Sequence, residues 1–249
     1  MILSHRISRR QVVGAAALTV AGAAVVRVVP GGVAFAQSSD ATQTRLRVIN
    51  GSTEFGEIDV RVNNDVKAQD IGFAEASDWI DVDAGTQRVT FEEAGVNLFD
   101  WIYDATYPFI AGESYQLILT DQLVIANIVD RSDLAAPNLT ARARVIQASP
   151  TLPPIDFFIN GSDLPSLTNV FFSRVSDYQE VKAGDYTVEI ARTGVSDSPQ
   201  ATLDVSLAAD TVYDFVVIGK PEDSDHPVQV LQLETPTFGA AGATGTPSS

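Results

Sequence analysis

The segment "NLFDWIYDATYPF", which begins at Asn97, concentrates side chains that could bind a ligand. In an extended strand, Phe99, Trp101 and Tyr103 would share one face, while Asp100 and Asp104 would share the other. Aromatic rings on an exposed face form an apolar platform for sugar rings or a protein partner, whereas rings on a buried face fill a core. We therefore predict a binding site at the three aromatic residues, with core packing or a domain interface as the alternative.

Groups that could support catalysis are scarce in this chain. After residue 36 there is one histidine, His226, in an acidic loop, and there is no cysteine anywhere. A zinc site needs about four ligands, and a hydrolytic triad needs a histidine beside an activated nucleophile. The chain also lacks a G-x-S-x-G motif and a phosphate-binding glycine loop. We expect no catalytic residue, no metal site and no cofactor.

Three polar residues that could be taken for site residues have simpler structural explanations. Ser149 lies between Ala148 and Pro150, where a turn or cap role is expected rather than a nucleophile. Asp59 and Asp156 recur in equivalent segments and each opens an apolar strand. Their carboxylates are expected to accept neighbouring backbone N–H groups, with a ligand role as the alternative.

A calcium site at Asp78, Asp81 and Asp83 is the remaining candidate for metal binding. Carboxylate oxygens are suitable calcium ligands, but the equivalent segment of the chain carries Glu180 and Lys182. Because a lysine would repel the ion, we interpret this segment as a solvated acidic face.

The elements that must position these residues occur twice. "RARVIQASPTLPPIDFFING" from Arg142 echoes "RLRVINGSTEFGEIDVRVNN" from Arg45, and "SDYQEVKAG" later echoes "SDWIDVDAG". A repeat this long indicates two complete domains in tandem rather than a solenoid.

Each unit consists of short runs of alternating apolar residues separated by turn residues, seven of them in the second unit. This pattern predicts an all-β chain of two tandem Greek-key, immunoglobulin-like β-sandwich domains. Tyr115 and Tyr213 each open a strand after a turn and are expected to form tyrosine corners. The predicted segments are a signal peptide at 1–36, a short linker at 37–44, repeat 1 at 45–130, a linker at 131–141, repeat 2 at 142–235 and a flexible tail at 236–249.

Three stretches of the second unit carry a family resemblance: "RARVIQASPTLPPIDFFING", "VSDYQEVKAGDYTVEI" and "LAADTVYDFVVIG". They resemble domain-of-unknown-function family 4397 (DUF 4397), and the first unit is a weaker member. Many members carry a histidine before Ala-Ser-Pro, where this chain has Gln147 and, in the first unit, Asn50. No role of that histidine can therefore be transferred. The resemblance implies exported, often tandem, sandwich-like domains in prokaryotic surface or secreted proteins, and no established activity.

The start of the chain indicates export. Arg9 and Arg10 precede an uncharged apolar run, and Ala34 and Ala36 form a small-x-small cleavage pattern, as in a twin-arginine signal peptide. Beyond residue 36 the chain keeps 12 basic and 32 acidic residues, a net charge of −20. Such a charge argues against nucleic acid or an anionic membrane as a partner. We expect a protein that is extracellular, periplasmic or attached to the cell surface.

Three functions remain open at this stage. The leading prediction is a non-enzymatic protein that binds or bridges envelope or extracellular components, with a cell-surface glycan or an envelope protein as partner. The alternatives are an exported hydrolase that uses carboxylates on polysaccharide and a purely structural surface spacer.

Overall fold

A computed structural model describes residues 43–95, 101–129, 140–160, 167–221 and 223–236, and the regular elements in these ranges are β-strands. None of the described residues belongs to a helix with the length and apolar character needed to cross a membrane. The signal peptide predicted from the sequence lies outside the described residues, as does the predicted tail after Pro236, the last residue of the final strand. The strands of the first domain are β1 (Gln43–Asn50), β2 (Ile58–Val62), β3 (Asp65–Ile71), β4 (Ile80–Asp83), β5 (Gly85–Glu93), β6 (Trp101–Phe109), β7 (Ser114–Leu119) and β8 (Val124–Ile128). Those of the second are β9 (Thr140–Gln147), β10 (Ile155–Asn160), β11 (Leu167–Val170), β12 (Gln179–Lys182), β13 (Gly184–Arg192), β14 (Val195–Leu207), β15 (Thr211–Ile218) and β16 (Gln229–Pro236).

Each domain is a sandwich of two four-stranded sheets, and the strand order is the same in both. The first domain has the orders β4-β1-β7-β8 and β3-β2-β5-β6, and the second has β12-β9-β15-β16 and β11-β10-β13-β14. Consecutive strands cross repeatedly between the sheets, which gives Greek-key connections. The prediction of two tandem all-β sandwiches is confirmed. Among the described residues, the second domain has one strand more than the seven predicted, the four-residue β11.

Within each domain, alternation along the strands points one set of side chains into a separate core. Leu46 and Val48 of β1 meet Leu117 of β7 in the first core, while Val145 and Phe215 lie in the second. The hydroxyl of Tyr115 accepts the backbone N–H of Ile110 at 3.1 Å, and that of Tyr213 accepts the N–H of Ala208 at 2.8 Å. These contacts confirm the two predicted tyrosine corners.

The first hairpin is shaped by residues that tolerate positive φ. Asn63 and Asn64 connect β2 to β3 with φ values of 50° and 74°. A two-residue turn with positive φ at both positions matches the right-handed twist of the strands it connects. In the second domain, the residues that follow β10, from Gly161, lie outside the described residues.

The two domains pack through the sheets that contain β1 and β9, which we call the junction sheets. Their facing sides share an apolar cluster that includes Ile49 and Ile118 of the first domain and Ile146 and Ile218 of the second. Each of these isoleucines is fully buried, and such burial contributes roughly 1.5–3 kcal/mol per side chain. The strands β1, β7, β9 and β15 are therefore covered on both faces. The remaining two sheets, which we call the outer sheets, lie at opposite ends of a four-layer stack.

Candidate functional site

Trp101 lies on the exposed face of the first domain's outer sheet because β6 contains a β-bulge. Phe91 of β5 is opposite Tyr103, whereas the next residue, Glu92, is opposite Trp101, so Ile102 is an extra residue in β6. Since directly opposed residues point to the same side of a sheet, Trp101 and Tyr103 lie on opposite faces. The expectation that they share one face is wrong, and Phe99 lies outside the described residues.

Tyr103 belongs to the core side of the sheet. Its ring meets that of Phe91 edge to face, with 5.9 Å between the ring centroids. Its hydroxyl accepts a hydrogen bond from the Tyr107 hydroxyl at 3.2 Å. Burial, together with this hydrogen bond, raises the pKa of Tyr107 far above its ordinary value. Tyr103 therefore packs against the core of the first domain, which was the alternative to a binding role for this residue.

Trp101 is 40 % exposed, and one of its neighbours is a fixed guanidinium. The guanidinium carbon of Arg88 lies 4.1 Å from the centroid of the Trp101 ring. Arg88 in turn donates from Nε and Nη2 to the two carboxylate oxygens of Asp104, both at 2.8 Å. This bidentate hydrogen bond raises the pKa of Arg88 and lowers the pKa of Asp104. Both side chains are therefore charged at neutral pH and held in one orientation beside the tryptophan.

The polar surface continues from Trp101 towards the β2–β3 turn. Nη1 of Arg88 donates to Oδ1 of Asn64 at 3.3 Å. The backbone carbonyl of Asn64 accepts Nη1 of Arg61 at 3.0 Å, and Nε of Arg61 donates to Glu92 at 2.8 Å. We call the five residues Arg61, Asn64, Arg88, Trp101 and Asp104 the Trp101 surface. It is an aromatic ring bordered by paired charges, an arrangement that can contact a ligand having both an apolar face and hydrogen-bonding groups.

On the second domain, polar side chains of β10, β13 and β14 are hydrogen-bonded to each other on the outer sheet. Thr187 donates to Asp204 at 2.8 Å, and Asn160 donates to Glu189 at 2.8 Å. An open groove of about 500 Å³ lies here, and its described lining includes Tyr186 as the aromatic residue. The hydroxyl of Tyr186 bonds the carbonyl of Lys182, and its ring packs partly against the core. The outer sheet of the first domain therefore presents an exposed aromatic ring at Trp101, whereas the groove of the second presents mainly polar side chains.

The remaining residues singled out from the sequence have structural partners. Ser149 is fully buried, and its hydroxyl donates to the carbonyl of Gly219 at 2.5 Å, a structural contact with a residue distant in the chain. Asp59 accepts the backbone N–H of Asp70 at 3.0 Å. His226 contacts the ring of Phe73 edge to face, with 4.7 Å between ring centroids, so it lies against the other domain rather than in an open loop.

Asp156 caps the chain as predicted and accepts more than one donor. Its Oδ1 accepts the N–H of Asn169 at 2.8 Å and the Thr193 hydroxyl at 2.9 Å, and its Oδ2 accepts the N–H of Gly194 at 3.2 Å. Burial raises the pKa of Asp156, but these hydrogen bonds more than offset it and hold the pKa below its ordinary value. Asp81 and Asp83 are exposed, as expected for a solvated acidic face.

A polar cluster at the domain junction was not anticipated from the sequence. Asp214, fully buried, accepts Nε of Arg144, Nε2 of Gln116 at 2.6 Å and the Tyr178 hydroxyl at 2.9 Å. Burial lowers the pKa of Arg47 to about 10, and the charge of Asp214 opposes that shift. The signal that could have located the junction is the unbroken apolar run Phe215–Ile218, because a strand covered on one face would alternate.

The two sandwiches with the same strand order place this chain in the class of tandem β-sandwich proteins. The chain belongs to the family described as "Domain of unknown function (DUF4397)", whose model matches residues 44–140 and again residues 141–243. The family prediction and its two tandem copies are thereby confirmed.

Solved structures show only loose likeness. CBMbc (family CBM26) from Eubacterium rectale Amy13K, in complex with maltoheptaose, is 10 % identical, with 77 % of this chain and 97 % of that chain covered and a TM-score of 0.24. The Bacillus anthracis TIE protein is 12 % identical, with 71 % and 34 % covered and a TM-score of 0.22. A crystal structure described as a cell adhesion protein from Parabacteroides distasonis ATCC 8503 is 7 % identical, with 78 % and 97 % covered and a TM-score of 0.21. Such low TM-scores carry no weight for function. No curated protein matches the chain.

Proposed function

We propose that the protein is an exported, non-enzymatic binding protein that attaches to a component of the cell envelope or its surroundings through the Trp101 surface. The observation that carries this proposal is the exposed Trp101 ring, 40 % accessible, beside a guanidinium fixed by Asp104. An exposed aromatic ring with ordered polar neighbours is a favourable contact point for a sugar or a protein.

A bridging role is supported by the four-layer arrangement. The junction sheets are covered by each other, so the exposed faces of the two outer sheets point in opposite directions. Packed sheets are about 10 Å apart, which places these faces roughly 30 Å from one another. Because the two faces carry different side chains, the protein can hold two different components at once.

Retention on solid supports tests the binding proposal. The chain from residue 37 is incubated with insoluble polysaccharides and with envelope fractions, and the bound fraction is measured. Trp101→Ala should reduce retention at least about tenfold, while Phe171→Ala is the matched control because Phe171 is an aromatic residue of the second domain that is 53 % exposed. Failure of the folded wild-type chain to bind any of these materials would rule out the proposal, as would equal retention of both variants.

Export is tested separately. Residues 1–36 are fused to a reporter that is active only when it is carried across the membrane in a folded state. Replacing Arg9 and Arg10 by lysine should abolish the signal if the twin-arginine route is used. No signal from the wild-type fusion, together with export of a second reporter that crosses the membrane unfolded, would assign the segment to the ordinary secretory route.

A structural spacer is the second candidate, and the buried junction favours it because it makes two domains one extended body. The spacer predicts self-association or incorporation into a larger assembly without Trp101-dependent binding. Sedimentation of the wild-type chain and of Trp101→Ala distinguishes the two functions.

A further inference from the structure

The hydrogen bonds of the Trp101 surface restrict the kind of ligand it can bind. Each of the three guanidinium nitrogens of Arg88 already donates, Nε and Nη2 to Asp104 and Nη1 to Asn64. The flat side of the guanidinium lies against the Trp101 ring. An anionic ligand could form a bidentate pair at Nε and Nη2 of Arg88 only by displacing the Asp104 carboxylate. Otherwise it would meet only the remaining two of the five guanidinium N–H groups, beside a carboxylate that repels it.

The second arginine of the surface is also paired with a carboxylate, through a single nitrogen. Arg61 donates from Nε to Glu92 at 2.8 Å and from Nη1 to the carbonyl of Asn64 at 3.0 Å. Two arginines are thus balanced by two carboxylates, so the surface has no local excess of positive charge. The chain beyond residue 36 carries a net charge of −20, which repels anionic polymers at long range.

What the surface offers is an apolar ring and hydrogen-bond acceptors. A carboxylate has about four lone-pair positions, and Arg88 occupies one on each oxygen of Asp104. Asp104 and Asn64 can therefore accept further hydrogen bonds from hydroxyl groups. A pyranose ring has a complementary structure, because it has a C–H face that packs on an aromatic ring and hydroxyl groups around its rim.

We propose that the Trp101 surface binds an uncharged polysaccharide, with the C–H face of a sugar ring on Trp101 and sugar hydroxyls donating to Asp104. This inference rests on the proposed function and narrows its ligand to one chemical class. Asp104 then has two roles: it accepts hydroxyl groups, and it keeps Arg88 from recruiting anionic chains.

Matched neutral and anionic polymers test the inference. Native affinity gels are cast with uncharged glucans, mannan or xylan, with the sulfated or carboxymethylated derivative of each, and with chitosan. The wild-type chain should be retarded by at least one uncharged polymer, about tenfold more strongly than by its anionic derivative, and added salt should have little effect. Trp101→Ala should abolish the retardation, while Phe171→Ala should leave it unchanged.

The variant Asp104→Asn separates the two roles. It removes a hydroxyl acceptor and frees Arg88, so affinity for the neutral polymer should fall about tenfold while affinity for its anionic derivative rises. Circular dichroism is the control that checks whether the Asp104→Asn variant is folded. Trp101-dependent preference for an anionic polymer or for chitosan in the gels, or Trp101-dependent retention on envelope fractions alone, would overturn this inference and leave the proposed function standing. Binding to none of these materials would overturn the proposed function itself.

Discussion

Gln116 and Asp214 occupy equivalent positions in the two repeats and touch each other at the domain junction, where Nε2 of Gln116 donates to Oδ2 of Asp214 over 2.6 Å. Other equivalent residues of the two repeats, Ile49 with Ile146 and Ile118 with Val216, also share the apolar cluster at this junction. The junction is therefore approximately two-fold symmetric in structure. It is not symmetric in charge, because Arg47 and Arg144 recur while the acid occurs only in the second repeat. Asp214 is consequently the shared counter-charge of a buried site.

Replacing Asp214 by asparagine should weaken the junction more than any exposed acidic substitution. Asparagine preserves the size of the side chain but leaves Arg144 buried without its carboxylate partner. Loss of one partner of a buried ion pair costs about 3–5 kcal/mol, which urea unfolding of the full chain would measure. The control is Asp81→Asn, because Asp81 is exposed and its oxygen lies 3.8 Å from Nε of Arg45. Equal stability of the two variants would contradict a structural role for Asp214.

Asp121 links the two domains, and its protonation at low pH should reduce the stability of the folded protein. Its carboxylate accepts the Ser52 hydroxyl at 2.6 Å and the N–H of Thr53 at 2.7 Å, and it pairs with Lys220 of the second domain at 3.0 Å. Burial raises the pKa of Asp121, but these hydrogen bonds more than offset it and hold the pKa below its ordinary value of 3.8. A lowered carboxyl pKa stabilises the folded state above the unfolded value, and that contribution is lost as the pH falls through the folded value.

The free energy of unfolding is measured at several pH values from neutral down to about pH 3, a range that includes the ordinary carboxyl pKa. Asp121→Asn should lose less stability on acidification than the wild-type chain, because the titrating group is gone. Lys220→Gln should fall between the two, since Ser52 and Thr53 still donate to the carboxylate. A wild-type pH profile in Asp121→Asn would refute the assignment.

Gly219 should be irreplaceable for two separable reasons. Its φ is +87°, and a Cβ there would lie 2.1 Å from the carbonyl oxygen of Pro227. Gly112 has a similar φ of +82°, but a Cβ at Gly112 would meet nothing within 4 Å beyond its neighbours in the chain. Gly112→Ala should therefore cost only the backbone strain, about 1–2 kcal/mol, whereas Gly219→Ala should cost clearly more and reduce the folded yield. Comparable melting temperatures for the two variants would show that the loop after β15 can move away.

The tyrosine corner of the second domain should contribute measurably to stability. Tyr213 is almost fully buried, and its hydroxyl accepts the N–H of Ala208. Tyr213→Phe removes the acceptor of that N–H, and the loss of a typical intramolecular hydrogen bond costs about 0.5–1.5 kcal/mol. Tyr186→Phe is the control, since the Tyr186 hydroxyl bonds the carbonyl of Lys182 in an exposed position. A larger loss in Tyr186→Phe would contradict the assignment.

Several features could be predicted because they depend on neighbours in the chain. Period-two alternation predicted the strands and the repeat predicted two sandwiches. The carboxylates of Asp59 and Asp156 were expected to bond nearby backbone, as they do with Asp70 and Asn169. Such contacts are specified within one hairpin, so the local sequence carries the information needed to place them.

The sequence by itself therefore determined the all-β class, the tandem organisation, the tyrosine corners and the family. Only the tertiary structure decided which sheets meet at the junction and on which side of β6 Trp101 lies. A one-residue bulge reverses the face of a side chain, and that bulge is set by the register of β6 against β5, which the β6 sequence does not contain. The cluster around Asp214 likewise forms only when two distant strands pack together, because the hydrogen-bond donors to Asp214 come from both domains.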